Sequence, residues 1–264
     1  MTLEVLLSAM NLADESYLDT LHVTSDAVVI DQCDRTGRRD IERTVGGRKQ
    51  HVRFIETTQR GLSKSRNMAI RNAQADICIF CDNDVEYEEG YEEKICNTFE
   101  RHPEADLIVF YIRRPEKPVP NYDREKKMGY LSVLKIFSPE IAFRRSAIRG
   151  ISFHESFGAG SGKYLMGEEN IFLYDCLKAK KRIVYVPEKI ASLREEESTW
   201  FRGYDDAFFR SRGAGYAAMS KGFSHVLIWQ FALRKQKQYK ETMGMFRALR
   251  RMYEGRTRFL ESEK

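Results

Sequence analysis

Two aspartates, Asp82 and Asp84, stand one residue apart directly behind the apolar run Ile77-Cys78-Ile79-Phe80-Cys81. Carboxylates at the end of a buried strand make a hard, all-oxygen site suited to Mg²⁺ or Mn²⁺. A cation held there can in turn hold a diphosphate. In open α/β sheets, ligands bind beyond the carboxyl ends of the strands. Asp82 and Asp84 are therefore the metal candidates. An Asp-x-Asp pair alone is equally well a loop that happens to contain acids; its place behind a strand is what favours chemistry.

Three other segments carry reactive groups. Arg60-Gly61-Leu62-Ser63-Lys64-Ser65-Arg66-Asn67 reads as a turn into a helix, with Ser63 as its N-cap and Arg66 in its first turn. Free backbone N–H groups at a helix start favour anions, though a capped helix with solvated bases is the plainer reading. Gly167-Glu168-Glu169-Asn170 opens a helix with two acids, which serve the helix dipole or present a general base. Phe157 to Tyr164 imitates a phosphate loop but fails the pattern twice. Phe157 stands where the first glycine belongs, and Tyr164 replaces the Ser or Thr. We read it as a flexible acceptor-side loop carrying Lys163.

These groups need a scaffold, and the hydrophobic pattern supplies one. Strands are expected at Leu3–Leu7, Ala27–Ile30, Val52–Ile55, 77–81, Ala105–Ile112, 131–137, 141–148 and Ile183–Val186. Helices are expected after the first strand, after Ser63, over Glu86–Glu100 and over Asn170–Ala179. Residues 35–50 read as loop, and 113–130, with Pro115, Pro118 and Pro120, as a loop or lid. The alternation predicts an α/β fold with a mostly parallel sheet flanked by helices. From about Trp200 the pattern turns helical. Phe223, Val226, Leu227, Trp229, Phe231 and Leu233 crowd one segment, with many bases and few acids around them. This tail reads either as helices packed on the main domain or as an anchor lying on an anionic bilayer. We place a catalytic domain over 1–204 and a basic, amphipathic helical extension over 205–264.

The 264 residues are 42% hydrophobic and 31% charged, which suits a folded protein with a sizeable core. A net charge of +5 fits an anionic substrate or surface and is too small to argue for nucleic acid. The five cysteines are scattered, and Cys78 and Cys81, three apart on a strand, point to opposite faces and belong to the core. The histidines show no ligand spacing. With no signal-peptide pattern and no apolar run long enough to span a bilayer, the expected location is cytoplasmic, with the tail a candidate contact for the inner membrane face.

In order and spacing these segments resemble the family 2 glycosyltransferases of GT-A fold. The matching parts are Ser8 to Asn11, Asp31-Gln32, Gly61 to Asn67, Asp82 to Asp84 and Gly167 to Glu169. Glu197 to Tyr204 looks like the subgroup that builds bacterial capsular and other surface polysaccharides. The resemblance implies inverting transfer from a nucleotide-sugar, a UDP-sugar by preference, with Mn²⁺ or Mg²⁺. The acceptor it implies is a glycan or a lipid-linked oligosaccharide. It implies donor binding by Ser8, Asn11, Asp31, Gln32, Arg66, Asp82 and Asn83, with Asp84 at the metal. Glu169 takes the place of the usual base, and Glu168, Lys163 and Trp200 fall on the acceptor side. One departure is clear: Val186-Pro187-Glu188 is followed by Lys189 to Arg194 without the histidine that many members carry there as a metal ligand. Two other readings remain open at this point, a nucleotide-sugar pyrophosphorylase and an inactive sugar-nucleotide- or glycan-binding subunit of an assembly complex.

Overall fold

The computed structural model describes residues 1–115, 117–194 and 203–263. Trp200 and most of the Glu197–Tyr204 run lie outside the described residues. The chain divides into two units: Met1–Arg60, Lys64–Ser152 and Cys176–Glu196 form the first, and Gly61–Ser63, Phe153–Asp175 and Glu197–Lys264 the second.

The first unit is built on a mixed sheet, of ten strands among the described residues. Its centre is β1 (Leu3–Met10), β2 (Asp26–Gln32), β4 (Arg48–Thr57) and β5 (Ile77–Asp82), in the order β4-β2-β1-β5. All three pairings in this block are parallel, as the near-continuous apolar runs of β1, β2 and β5 require of strands covered on both faces. Beyond β5 the order continues through β9 (Ile141–Arg144), β7 (Leu107–Arg113), β10 (Ile183–Leu193) and β6 (Val85–Tyr87). β9 runs antiparallel to both of its neighbours, but β7 and β10 are again parallel, so the expected parallel character holds for the central block and is interrupted, not lost, beyond it.

Several local expectations are corrected. Residues 35–50 are mostly strand: β3 (Gly37–Val45) pairs antiparallel with β4 through a two-residue turn at Gly46-Gly47. Both turn glycines have positive φ, 56° and 80°, as a tight hairpin demands. The β3 side chains are largely exposed, which hides the strand from a hydrophobic pattern. The helix expected from Glu86 is β6 followed by α3 (Tyr91–Arg101); the left-handed Gly90 (φ 73°) separates them. The strands expected at 131–137 and 141–148 are mostly 3₁₀ turns around the short β9. The strand expected to stop at Pro187 continues to Leu193, because its register with β7 shifts between Tyr185 and Lys189 and leaves Pro187 in an irregular stretch. β8 (Lys126–Lys127) lies within the segment expected to be loop. After β1 comes only the four-residue α1 (Tyr17–Thr20).

Cys78 and Cys81 are free and buried. Burial pushes the Cys78 thiol up to about 12 and holds the Cys81 thiol well above its ordinary value, so both are protonated core groups.

The second unit is helical. It contains the loop 153–167, the start of α4 (Glu168–Lys178), and α5 (Asp206–Met219), α6 (Ser224–Arg234), α7 (Gln236–Tyr239) and α8 (Met245–Ser262). α5 and α8 cross at backbone contact. A Cβ on Gly213 would sit 1.9 Å from the Met252 carbonyl oxygen, and one on Gly255 would sit 2.0 Å from that of Arg210. Asp205 caps α5 by accepting from Phe208 N–H at 2.7 Å. Asp206 and Glu254 both pair with Arg251, at 2.9 and 2.8 Å. Phe157, Tyr164 and Phe259 cluster in the core of this unit. No helix among the described residues is long and apolar enough to cross a membrane.

Candidate functional site

Strand register assembles one group of candidate residues in the first unit. Ser8, near the buried end of β1, lies level with Asp82 on β5, while Ala9 lies level with Asp31 on β2. Parallel neighbours with matched ends thus bring Ser8, Asp31 and Asp82 to one carboxyl edge of the sheet. Ser8 Oγ accepts from Ser65 Oγ at 2.9 Å. Asn11 turns the chain with a left-handed φ of 53°, a conformation Asn tolerates better than most residues. That turn lets Leu12 N–H donate to Asp31 Oδ1 at 3.0 Å.

Asp31 is fully buried, and its Oδ2 meets no hydrogen-bond partner among the described residues. A buried polar atom left in this state costs about 1–3 kcal/mol. Such an atom is a built acceptor facing no donor among the described residues. Gln32, next in line, is also buried.

Arg66, in the first turns of α2 (Leu62–Asn72), has only 1% of its side chain exposed. Its Nη2 donates to both oxygens of Asp82, at 2.9 and 3.1 Å. Asp82 keeps a quarter of its side chain in solvent, so the pair has one buried and one open end. The chain after Asp82 is clamped by its carbonyls. Tyr17 Oη donates to the Asn83 oxygen, and Arg194 N–H to the Asp84 oxygen, both at 2.9 Å. Arg194 in turn binds Glu86 through Nε at 2.6 Å and donates to the Thr20 carbonyl. Sequence reasoning noticed Arg194 only as part of a run lacking a histidine, and it missed Tyr17 altogether. Neither stands in a motif, and only the pairing of β6 with β10 brings Arg194 to the turn.

Asp82 and Asp84 offer oxygen atoms only, the donor set that suits a small hard cation shared with substrate phosphates and water. A second metal-like group was not anticipated. The ligand atoms of Asp31, Cys33 and Glu56 lie within 4.8 Å of one another. A cation already serves that cluster, because Arg35 Nε donates to Glu56 Oε1 at 2.5 Å. We read it as an ion-paired surround of Asp31.

The other candidates lie in the second unit. Gly61 (φ 121°) begins a turn that binds the 157–161 loop: Leu62 N–H donates to the Ala159 oxygen at 2.9 Å and Ser63 Oγ to the Phe157 oxygen at 2.7 Å. Ser63 lies inside α2, so its hydroxyl joins loop to helix and is not the expected N-cap. Glu168 and Glu169 open α4, the first buried and the second half-buried. Gly158 (φ 98°) packs on Glu168, whose carboxyl carbon would lie 3.0 Å from any added Cβ. Lys163 is exposed, and its Nζ bonds Ser262 Oγ at 3.2 Å. The loop closes by its own hydrogen bond, Gly158 N–H to the Tyr164 oxygen at 3.0 Å.

The parallel strand block, the acid-ended β5 and the Gly61–Asn67 turn define a class, the GT-A transferases. The chain belongs to glycosyl transferase family 2, whose model matches residues 15–161. Its fold is also that of Staphylococcus aureus TarS. The TarS 1–349 structure in complex with UDP-GlcNAc aligns at TM-score 0.59 and 15% identity, covering 99% of this chain and 89% of that one. The complex with UDP gives TM-score 0.63 at 12% identity, covering 97% and 81%. A longer TarS structure gives TM-score 0.58 at 11% identity, and there the alignment covers 92% of this chain but 46% of TarS. No curated protein matches the chain by sequence.

Proposed function

We propose that this glycosyltransferase takes its sugar from a UDP-linked donor and transfers it with inversion to a hydroxyl of a glycan or lipid-linked oligosaccharide, in the synthesis of a surface polysaccharide such as a capsule. The observation that carries the donor assignment is the buried, unpartnered Oδ2 of Asp31 at the carboxyl edge of the sheet. A carboxylate oxygen only accepts, so it favours a base whose facing ring nitrogen carries a hydrogen. Uracil offers its imide N–H, whereas the equivalent ring nitrogen of cytosine is itself an acceptor. The UDP and UDP-GlcNAc in the TarS structures agree with this choice.

Ser8, Asn11, Gln32 and Asn83 line the donor side in this reading, and Asp82, held by Arg66, approaches the ribose. Mn²⁺ or Mg²⁺ held by Asp84, with Asp82 beside it, would neutralise charge on the departing diphosphate. Arg66 contributes fixed positive charge whether or not a cation is bound. Glu169 removes the proton from the acceptor hydroxyl as that oxygen bonds to the anomeric carbon. The bond from that carbon to the diphosphate breaks, and the nucleotide leaves with the electron pair. Glu168, Lys163 and Trp200 are assigned to the acceptor. The protein is cytoplasmic and works at the inner membrane face.

A thermal-shift screen of nucleotide sugars, with and without Mn²⁺, tests the reading. Stabilisation by UDP-sugars that deepens with Mn²⁺ is expected. Stabilisation by another nucleotide class alone would overturn the donor assignment.

A further inference from the structure

The helix α6 is apolar on both sides, yet only one side is covered. Leu227, Ile228 and Ala232 are buried, at 1%, 0% and 0% exposure. On the opposite side Val226, Trp229 and Leu233 are 54%, 45% and 59% exposed. Their spacing of three and four residues puts them in one stripe along the helix. Phe223, just before the helix, is 39% exposed. A helix apolar all round is normally enclosed on every side, so this outer stripe lacks its cover.

Charge identifies the cover. Between Ser220 and Gly244 the chain carries Lys221, Arg234, Lys235, Lys237 and Lys240 against the single acid Glu241, and all six are exposed. A second copy of this surface would bring like charges together. An anionic bilayer meets both features, because its headgroups attract the bases and its acyl boundary accepts the stripe. At 11 residues α6 is about 16 Å long, half of a hydrocarbon core, so it can lie in the interface but cannot cross it. Tryptophan, an amphipathic ring, is favoured at that depth.

We propose that the face of α6 bearing Val226, Trp229 and Leu233 is the surface by which the protein docks on an anionic phospholipid membrane. This deepens the placement at the inner membrane face given above and names its contact residues.

The test uses the full chain and vesicles, with no sugar substrate. Sedimentation is compared for phosphatidylcholine vesicles and for vesicles containing about one third phosphatidylglycerol. Binding to the anionic vesicles only, weakening with salt, is expected. V226S/W229S/L233S should bind at least about tenfold more weakly. K235Q/K237Q/K240Q should lose most of the preference for anionic lipid. Circular dichroism checks the fold of each variant; should the serine variant unfold, the glutamine variant decides. UDP binding by calorimetry should be unchanged in both, which separates this proposal from the donor assignment. No vesicle binding by the wild type, or equal binding by the folded variants, would overturn it. So would a wild-type oligomer that the serine substitutions dissociate.

Discussion

The strand-end cluster of the first unit and the helix start of the second use carboxylates in opposite ways. In the first, Asp31 and Asp82 are positioned by parallel strands whose register admits no slip without turning side chains to the other face. Each is tied to a fixed donor, Leu12 N–H for Asp31 and Arg66 for Asp82. In the second, Glu168 and Glu169 sit at a helix start preceded by left-handed Gly158, Gly160, Gly162 and Gly167. A carboxylate held by strands and buried hydrogen bonds is built to recognise a ligand that arrives the same way each time. A half-buried carboxylate at a helix start keeps access to a proton. The contrast is the basis on which donor binding is proposed for one region and proton transfer for the other.

The largest effect should separate the two assignments. Glu169→Gln should lower kcat by about 10²–10⁴-fold while leaving the dissociation constant for UDP unchanged, read by initial rates beside calorimetry. Near-normal turnover would remove Glu169 from the role.

Next, Asp82→Ala should destabilise the first unit by taking the bidentate Asp82 carboxylate away from the buried Arg66 guanidinium. Breaking a fully buried pair costs about 3–5 kcal/mol, and the solvent-exposed end of Asp82 points to the low end, about 3 kcal/mol. Urea unfolding measures it, and the same variant should bind UDP more weakly. A stable variant with normal UDP affinity would show that the pair is ornamental.

A smaller effect is expected in the second unit. Gly255→Ala drives a methyl into the Arg210 carbonyl and should cost about 1–3 kcal/mol as α5 and α8 part. Thermal unfolding should register the loss while UDP affinity stays at the wild-type value. A matching loss of UDP affinity would blur the division between the regions.

Legibility followed the same divide. The parallel block was readable because buried strands are continuous apolar runs, and the acids at their ends stand out against them. The family resemblance rested on those ends, on the Gly61–Asn67 turn and on Gly167 to Glu169; the matched family model, over residues 15–161, covers Asp31-Gln32, Gly61–Asn67 and Asp82–Asp84. What the sequence concealed were elements without a hydrophobic signature. β3 is exposed and charged, and only Gly46-Gly47 marks its turn. β6 is three residues long and hides in front of a helix. Arg194 reaches Asp84 through sheet pairing across more than a hundred residues, which no local pattern encodes. The apolar crowd at 223–233 was visible, but not which half of it faces outward.

The donor assignment hangs on Asp31, and titration calorimetry of UDP and CDP against the wild type and Asp31→Asn tests it most directly. The wild type should prefer UDP, and the substitution should weaken UDP binding by about 10–100-fold and erase the preference, since the lost acceptor is worth about 1–3 kcal/mol. Equal affinity of both proteins for UDP, or a wild type indifferent between UDP and CDP, would contradict the account.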